Sequence, residues 1–303
     1  NLMLEYKKDG WKAAIALGPT LLLLSVFTFY PIINAVLMAF KQNYVFLGGN
    51  YDGIGFGNFV TVLTDPKFLD ALKNTSIMVF ISVPLTIVIS LLLAVALNSV
   101  KKFRGFFQTV FFLPYVTNTI ALGLVFNVVF HKDYGLFNSI FGLNMVDWLG
   151  AGTTYWRAMF VLMVYTIWNG LAFKIIVLLA GLQSIDKQYY QAASVDGASR
   201  KRVFGRITVP LLSPMILYVT ITSFIGAFKV YTSVIALFGK GSGQAGAYGP
   251  DNMLITVVGY IYEKLWASGT PFGVAAAASI ILFIIILIIT LIQMIVSKKR
   301  VHY

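Results

Sequence analysis

Six stretches of this chain are each long and apolar enough to cross a bilayer as a helix: 13–40, 75–98, 106–130, 156–183, 211–238 and 272–296. About 20 residues rising 1.5 Å each cover the roughly 30 Å of hydrocarbon. No water-facing surface accommodates so much apolar chain. Of 303 residues, 58% are hydrophobic and only 11% charged, where a soluble domain carries about 25% charged residues. The sequence predicts an all-α membrane protein with six spans. The first run is too long for a signal-peptide core and lacks a small-residue cleavage site after it, so it reads as a retained anchor. Tyr and Trp gather near several run ends (Trp11, Tyr30, Tyr44, Trp148, Tyr155, Trp156, Trp266), as interfacial anchors do.

The loops sort by charge. One side holds 14 basic residues against four acids, and the other holds seven of each. The richer side takes Lys7, Lys8, Lys12, then Lys101, Lys102, Arg104, then Lys187, Arg200, Lys201, Arg202, Arg206, then Lys298, Lys299 and Arg300. Positive loops stay inside, which predicts both termini on the cytoplasmic side. The formal charge of +12 is read as this orientation signal rather than as a nucleic-acid surface. Cysteine is absent, which removes disulfides and thiolate chemistry. His131 and His302 lie in different loops, which speaks against a zinc or haem site. No G-x-x-x-x-G-K-[ST] occurs, so the chain reads as no enzyme and no ATPase. The outer segment 239–249, "GKGSGQAGAYG", is of low complexity and is expected to be mobile.

The longest polar interruption on the basic side is "YYQAASVDGASRKRVFGRITVPLLSP", residues 189–214. Asp186 can cap a helix on which Tyr189, Ala192 and Ala193 share one face. The alanines there would let another surface come close. Asp196-Gly197 breaks the run, because Gly tolerates positive φ and Asp can bond nearby backbone N–H groups. A second short helix follows, with Val203, Phe204 and Ile207 on one side and Arg202 and Arg206 on the other. Pro210 and Pro214 mark re-entry into the membrane. This helix–turn–helix suits docking against a partner. An amphipathic connector resting on lipid headgroups fits the same residues, and a DNA-reading helix–turn–helix fits only formally.

The stretch resembles the EAA loop of permease subunits in binding-protein-dependent ABC importers, whose pattern is E-A-A-x-x-D-G-A followed by F, I, P and P. Here stand Gln191-Ala192-Ala193, Asp196-Gly197-Ala198, Phe204, Ile207, Pro210 and Pro214. Further segments resemble the carbohydrate branch: "FFLPYVTNTIALGLVF", "YGLFNSIFG", "AFKVYTSVIALFG" and "ITVVGYIYEKLW". The resemblance covers residues 13–296. It implies the type I ABC importer permease fold: one permease domain over 1–303, with its core at about 70–296. A coupling loop at about 186–210 joins spans four and five. It implies that Tyr190, Gln191, Ala192, Ala193, Asp196, Gly197, Ala198, Phe204 and Pro210 meet a cytoplasmic ATPase. Gln191 departs from the family Glu, and a neutral hydrogen bond replaces any charge-assisted one there, about half as strong.

The resemblance also implies the assembly. Two ATPase subunits consume ATP and Mg, and this chain binds no cofactor. A second permease, not identical to this one, completes the path, and an extracytoplasmic solute-binding protein delivers a carbohydrate, expected to be an oligosaccharide. The outer loops 50–73 and 249–270, with Trp148 and Trp266 as candidate anchors, would meet that protein. The place is the inner membrane of a bacterium or archaeon. Alternating access about a central site would move the solute. Glycerol 3-phosphate or an acidic saccharide are alternative solutes.

Polar residues within spans mark a candidate path: Asn118, Asn127, Tyr165, Trp168, Asn169, Thr222, Lys229 and Tyr231. Amides and hydroxyls can bond sugar hydroxyls, and aromatic faces can stack on sugar rings. The same residues also serve as interhelical glue, worth roughly 0.6 kcal/mol each. Lys174 and Lys229 are costlier, at about 2.5–3.5 kcal/mol for a mid-span Lys. Lys174 is expected to snorkel toward the inner interface. Lys229 is expected either to be buried against carbonyls or to meet solute. An ion-coupled secondary transporter usually needs acids within its spans, and every acid here is assigned to a loop or tail.

Overall fold

The computed structural model describes residues 10–45, 49–100, 104–239, 248–266 and 271–298. Most of the low-complexity segment 239–249 and the basic residues Lys7, Lys8, Lys101 and Lys102 lie outside them. Among the described residues, four helices are long and apolar enough to span a membrane, or six spans if two bent pairs each count once. The contacts sort the chain into two units, 1–65 with 264–281, and 66–263 with 282–303.

In the first unit, α1 (Gly10–Leu24) runs through one π-helical turn, Ser25–Phe29, into α2 (Tyr30–Phe40). The wider turn has a cause in the sequence. Tyr30 donates its N–H five residues back to the Ser25 carbonyl, just ahead of Pro31. A proline ring clashes with the carbonyl four residues earlier, and the wider turn relieves that clash. Two-residue strands β1 (Lys41–Gln42) and β2 (Gly53–Ile54) pair antiparallel, and α3 (Gly57–Thr64) follows. Buried Asn58 ties this corner together, donating to the Ala39 and Lys41 carbonyls at 2.9 Å each.

The second unit is built on α4 (Pro66–Ser99) and α8 (Tyr155–Ser184), which pack along most of their lengths. The helix α4 carries Ser82, Thr86, Ser90 and Ala94 every fourth residue, all buried. Small side chains let helix backbones approach closely. Their hydroxyls bond carbonyls of their own helix, Ser82 to Met78 and Thr86 to Ser82 at 2.6 Å, so no polar group there depends on a neighbour. Deeper toward the elbow, Ala94, Leu97, Ile175, Leu178, Leu179, Leu182, Leu212 and Val219 form an apolar core. The helix α4 begins at Pro66, earlier than the run at 75 suggested, because a proline suits the first helical position. Asp70 therefore sits on a helix and not in a loop.

The remaining elements in chain order are α5 (Arg104–Val116), α6 (Thr119–Val129), α7 (Leu136–Ile140), then α9 (Lys187–Val195), α10 (Arg200–Val203) and α11 (Val209–Leu211). After them come α12 (Ser213–Phe228), α13 (Thr232–Phe238), α14 (Val257–Trp266) and α15 (Phe272–Lys298). Two expected spans are not single helices. The third breaks between α5 and α6 with a bend of 100°. The fifth bends 67° where the chain passes from α10–α11 into α12, and its helix ends at Phe228 before α13 starts. Hydropathy reports apolarity, not straightness, so neither break shows in it.

Candidate functional site

The residues the sequence singles out fall mainly in two places: the elbow between α8 and α12, and the interruptions of the third and fifth spans.

At the elbow, the Asp186 carboxylate accepts from the Gln188 N–H at 2.9 Å and caps α9. The helix ends by its own backbone. Gly197, at φ +66°, donates to the Ser194 carbonyl at 3.2 Å, and Ala198 donates to Ala193 at 2.9 Å. These paired bonds form a Schellman cap, which needs the left-handed conformation that Gly adopts without penalty. The turn is closed by these backbone bonds rather than by the Asp196 carboxylate. Ser199 then caps α10, accepting from the Arg202 N–H. A second π-helical turn, Phe204–Thr208, leads into α11. Val209 donates five residues back to Phe204, just ahead of Pro210, by the same steric logic as at Pro31.

Which face points outward differs from the sequence reading. Ala193 is 6% exposed and packs inward, with Tyr190 beside it bonding the Thr208 hydroxyl at 3.3 Å. Gln191, Ala192 and Asp196 are exposed, Tyr189 is exposed, and Val195 is 87% exposed. Ala193 therefore serves the elbow's own packing, and the free face runs through Gln191, Ala192 and Val195. Phe204 and Pro210 are half-buried behind it, with Ala198.

In the third span, Asn118 takes an extended conformation and caps α6, accepting from the Ile120 N–H at 2.8 Å. Tyr165, fully buried, donates to the Thr119 carbonyl at 3.0 Å. Asn169 reaches the Pro114 carbonyl at 3.5 Å on the other side of the break. Asn127 donates to Gly123 on its own helix and to Leu237 on α13, at 3.0 and 2.9 Å. Gly123 makes that crossing possible: a Cβ there would lie 2.4 Å from the Ala236 carbonyl oxygen. Thr222 bonds back to Tyr218 at 2.8 Å. Five of the path candidates, Asn118, Asn127, Tyr165, Asn169 and Thr222, thus make hydrogen bonds within the fold. Trp168 remains exposed at its edge, its ring 5.5 Å from that of Phe126.

The fifth-span interruption covers Lys229 (φ −93°, ψ 13°) to Tyr231 (φ −147°, ψ −57°). Lys229 is exposed at the end of α12 and not buried mid-helix. The Val230 carbonyl, released from the helix, accepts from the Thr256 hydroxyl at 2.9 Å. Lys174 also departs from expectation. Its ammonium donates to the Gly170 carbonyl at 2.9 Å, pointing back toward the start of α8. Helical Cα–Cβ bonds tilt toward the N-terminus, and Gly170 leaves the space.

Sequence reasoning missed the residues that stitch 253–257 to α4. Buried Asn74 donates to the Met253 and Ile255 carbonyls at 2.9 and 3.0 Å and accepts from the Tyr155 hydroxyl. The Thr75 hydroxyl accepts from the Val257 N–H at 3.1 Å. An Asn at the head of a long apolar run was the one available signal. Thr256 gave none. Trp148 is no free anchor: its indole N–H donates to the Asn138 side chain at 2.7 Å. Among the described residues, no group of three or more His, Cys, Asp or Glu side chains is placed to hold a metal.

Residues 53–302 match the family model of the binding-protein-dependent transport system inner membrane component. The lactose transport system permease protein LacF of Rhizobium radiobacter is 31% identical over 99% of this chain and 97% of its own length. The arabinooligosaccharides transport system permease protein AraP of Bacillus subtilis strain 168 is 35% identical over 85% of this chain and 82% of its own. The structure is similar to a chain in the crystal structure of a bacterial alginate ABC transporter in complex with alginate pentasaccharide-bound periplasmic protein. The TM-score is 0.81, with 28% identity, covering 98% of this chain and 97% of that one.

Proposed function

The chain belongs to the family of binding-protein-dependent transport system inner membrane components, and from that premise we propose that it is a permease subunit of an ATP-driven carbohydrate importer. It is a multi-pass membrane protein with the type I importer permease fold. The relatives named for lactose and arabinooligosaccharide transport and the alginate transporter support a saccharide, and among saccharides an oligosaccharide, as the solute. The complex with a periplasmic protein supports a solute-binding protein as the donor.

The observation that carries the mechanism is the elbow. It is a short helix closed at both ends by its own bonds, with an exposed face of Gln191, Ala192 and Val195. A surface whose polar backbone is already satisfied can dock as a rigid body. We read it as the coupling helix for a cytoplasmic ATPase, one of two. Those ATPases would bind the ATP and Mg; the sequence carries no phosphate-binding loop. Closure of the ATPase pair would draw this elbow toward its counterpart on a second, non-identical permease. The whole chain, 1–303, then acts as one permease domain forming half of the path, with both termini cytoplasmic.

The test is Gly197→Pro in the assembled transporter. Proline fixes φ near −65°, where Gly197 stands at +66°, so the Schellman cap cannot form. Uptake and the ATPase activity stimulated by loaded binding protein should both fall more than tenfold while the chain still inserts. Intact stimulation in the variant would end the coupling reading.

A further inference from the structure

The interruption of the fifth span carries a feature that transport of a sugar would use. Irregular backbone at membrane depth persists only where protein buries it or where it lines a watery cavity, and discontinuous helices build transport sites. At the end of this interruption the Tyr231 ring lies parallel to that of Tyr262 on α14, with centroids 4.4 Å apart and planes at 10°. Behind Tyr231 comes Tyr248, its centroid 6.4 Å away. Tyr248 is buried, and its hydroxyl donates to the Gly259 carbonyl at 3.0 Å. Its ring sits so close to α14 that a Cβ on Gly259 would stand 2.7 Å from it. Tyr248, tilted 55° to Tyr231, anchors the buried end of this cluster, and Tyr262, 42% exposed, is its open end.

We propose that the open side of Tyr262 is a saccharide-stacking platform beside the fifth-span interruption. It takes the apolar C–H face of a sugar ring as the ring passes from the binding protein into the path. The proposal rests on the carbohydrate reading above and adds a residue and a mode of contact to it. The chemistry matches on both sides. A sugar ring has an apolar face edged with hydroxyls, and a tyrosine has an apolar face with one hydroxyl. Backing by Tyr231 and Tyr248 keeps the ring in place beforehand, so little side-chain freedom is lost on contact.

The experiment uses the whole transporter, both permeases with ATPase and binding protein, in proteoliposomes. Radiolabelled lactose, arabinotriose and an alginate trisaccharide serve as probes. For each imported probe, sugar moved per ATP hydrolysed is compared among wild type, Tyr262→Leu, Tyr262→Phe and Tyr262→Trp. Aromatic contacts of this kind shift equilibria about three- to tenfold. Tyr262→Leu should lower the ratio by that factor while ATPase stimulation stays at the wild-type level, and Phe and Trp should keep the ratio. A purely structural role would lower ATPase and uptake together, and that result overturns the platform. So does an unchanged ratio in Tyr262→Leu, or a Leu variant that loses the second permease on purification. If the wild type imports none of the probes, the carbohydrate reading fails and the platform with it.

Discussion

The elbow and the interrupted spans are both breaks in helical structure, yet they are closed by opposite means. At the elbow, the capping and backbone bonds that close the turn link residues at most five positions apart: Asp186 to Gln188, Gly197 to Ser194, Ala198 to Ala193, Ser199 to Arg202. The longer Tyr190–Thr208 bond, 18 positions apart, still lies within the elbow. At the interruptions the decisive partners are remote. Thr256 serves Val230 from 26 residues away, Tyr165 serves Thr119 from 46, and Asn127 serves Leu237 from 110. The elbow can therefore keep its shape while the bundle around it moves. The interruptions can exist only while the bundle holds them. A part that transmits force suits the first design, and a path that must open and close suits the second.

The sharpest way to break this contrast is to part the helices on which the third-span interruption depends. Gly123→Val puts side-chain atoms where the Ala236 backbone already lies. Overpacking typically costs about 1–3 kcal/mol, and a clash with backbone belongs at or above the top of that range. The expected outcome is loss of the assembled permease pair on size-exclusion chromatography. A normal yield would mean that α6 and α13 are not held as described. A smaller effect is expected from Thr256→Val. It leaves the Val230 carbonyl unpaired and removes the acceptor for the Gly259 N–H. A buried unsatisfied group costs about 1–3 kcal/mol, which should appear as a melting temperature lowered by several degrees in detergent. ATPase stimulation per folded complex should stay near wild type, because the elbow is untouched.

The same contrast decides what the sequence could reveal. The elbow was legible almost residue by residue, since Asp at a helix start, Gly at its end and Pro beyond it act within a few positions. What escaped there was the facing of Ala193. Periodicity puts it with Tyr189 and Ala192, but the face of a nine-residue helix that turns inward is set by what it packs on, here through the Tyr190–Thr208 bond. The spans were legible as apolar length. Their interruptions were not, because Tyr165 and Tyr231 look like any polar residue in a membrane helix until their remote partners are in place, and the local cap at Asn118 lies inside an otherwise apolar run. Lys174 shows the limit most simply. Distance to the helix end suggested the inner interface, and the tilt of the Cβ bond sent it to the Gly170 carbonyl instead.

The smallest expected effect tests the elbow's independence directly. Asp186→Ala removes the carboxylate that accepts from Gln188. Losing an N-cap costs typically about 1 kcal/mol, and α9 has only nine residues to hold it. The cap is exposed, so no buried group is stranded by the change. The bundle should melt at the wild-type temperature, while ATPase stimulation falls a few-fold because the helix that docks is less often formed. Asp186→Asn keeps a capping oxygen and should restore most of the stimulation. If Asp186→Ala instead lowers the melting temperature as far as Thr256→Val does, the elbow is not a locally closed unit but one more part of the bundle. The distinction between a self-supporting lever and a bundle-supported path then disappears.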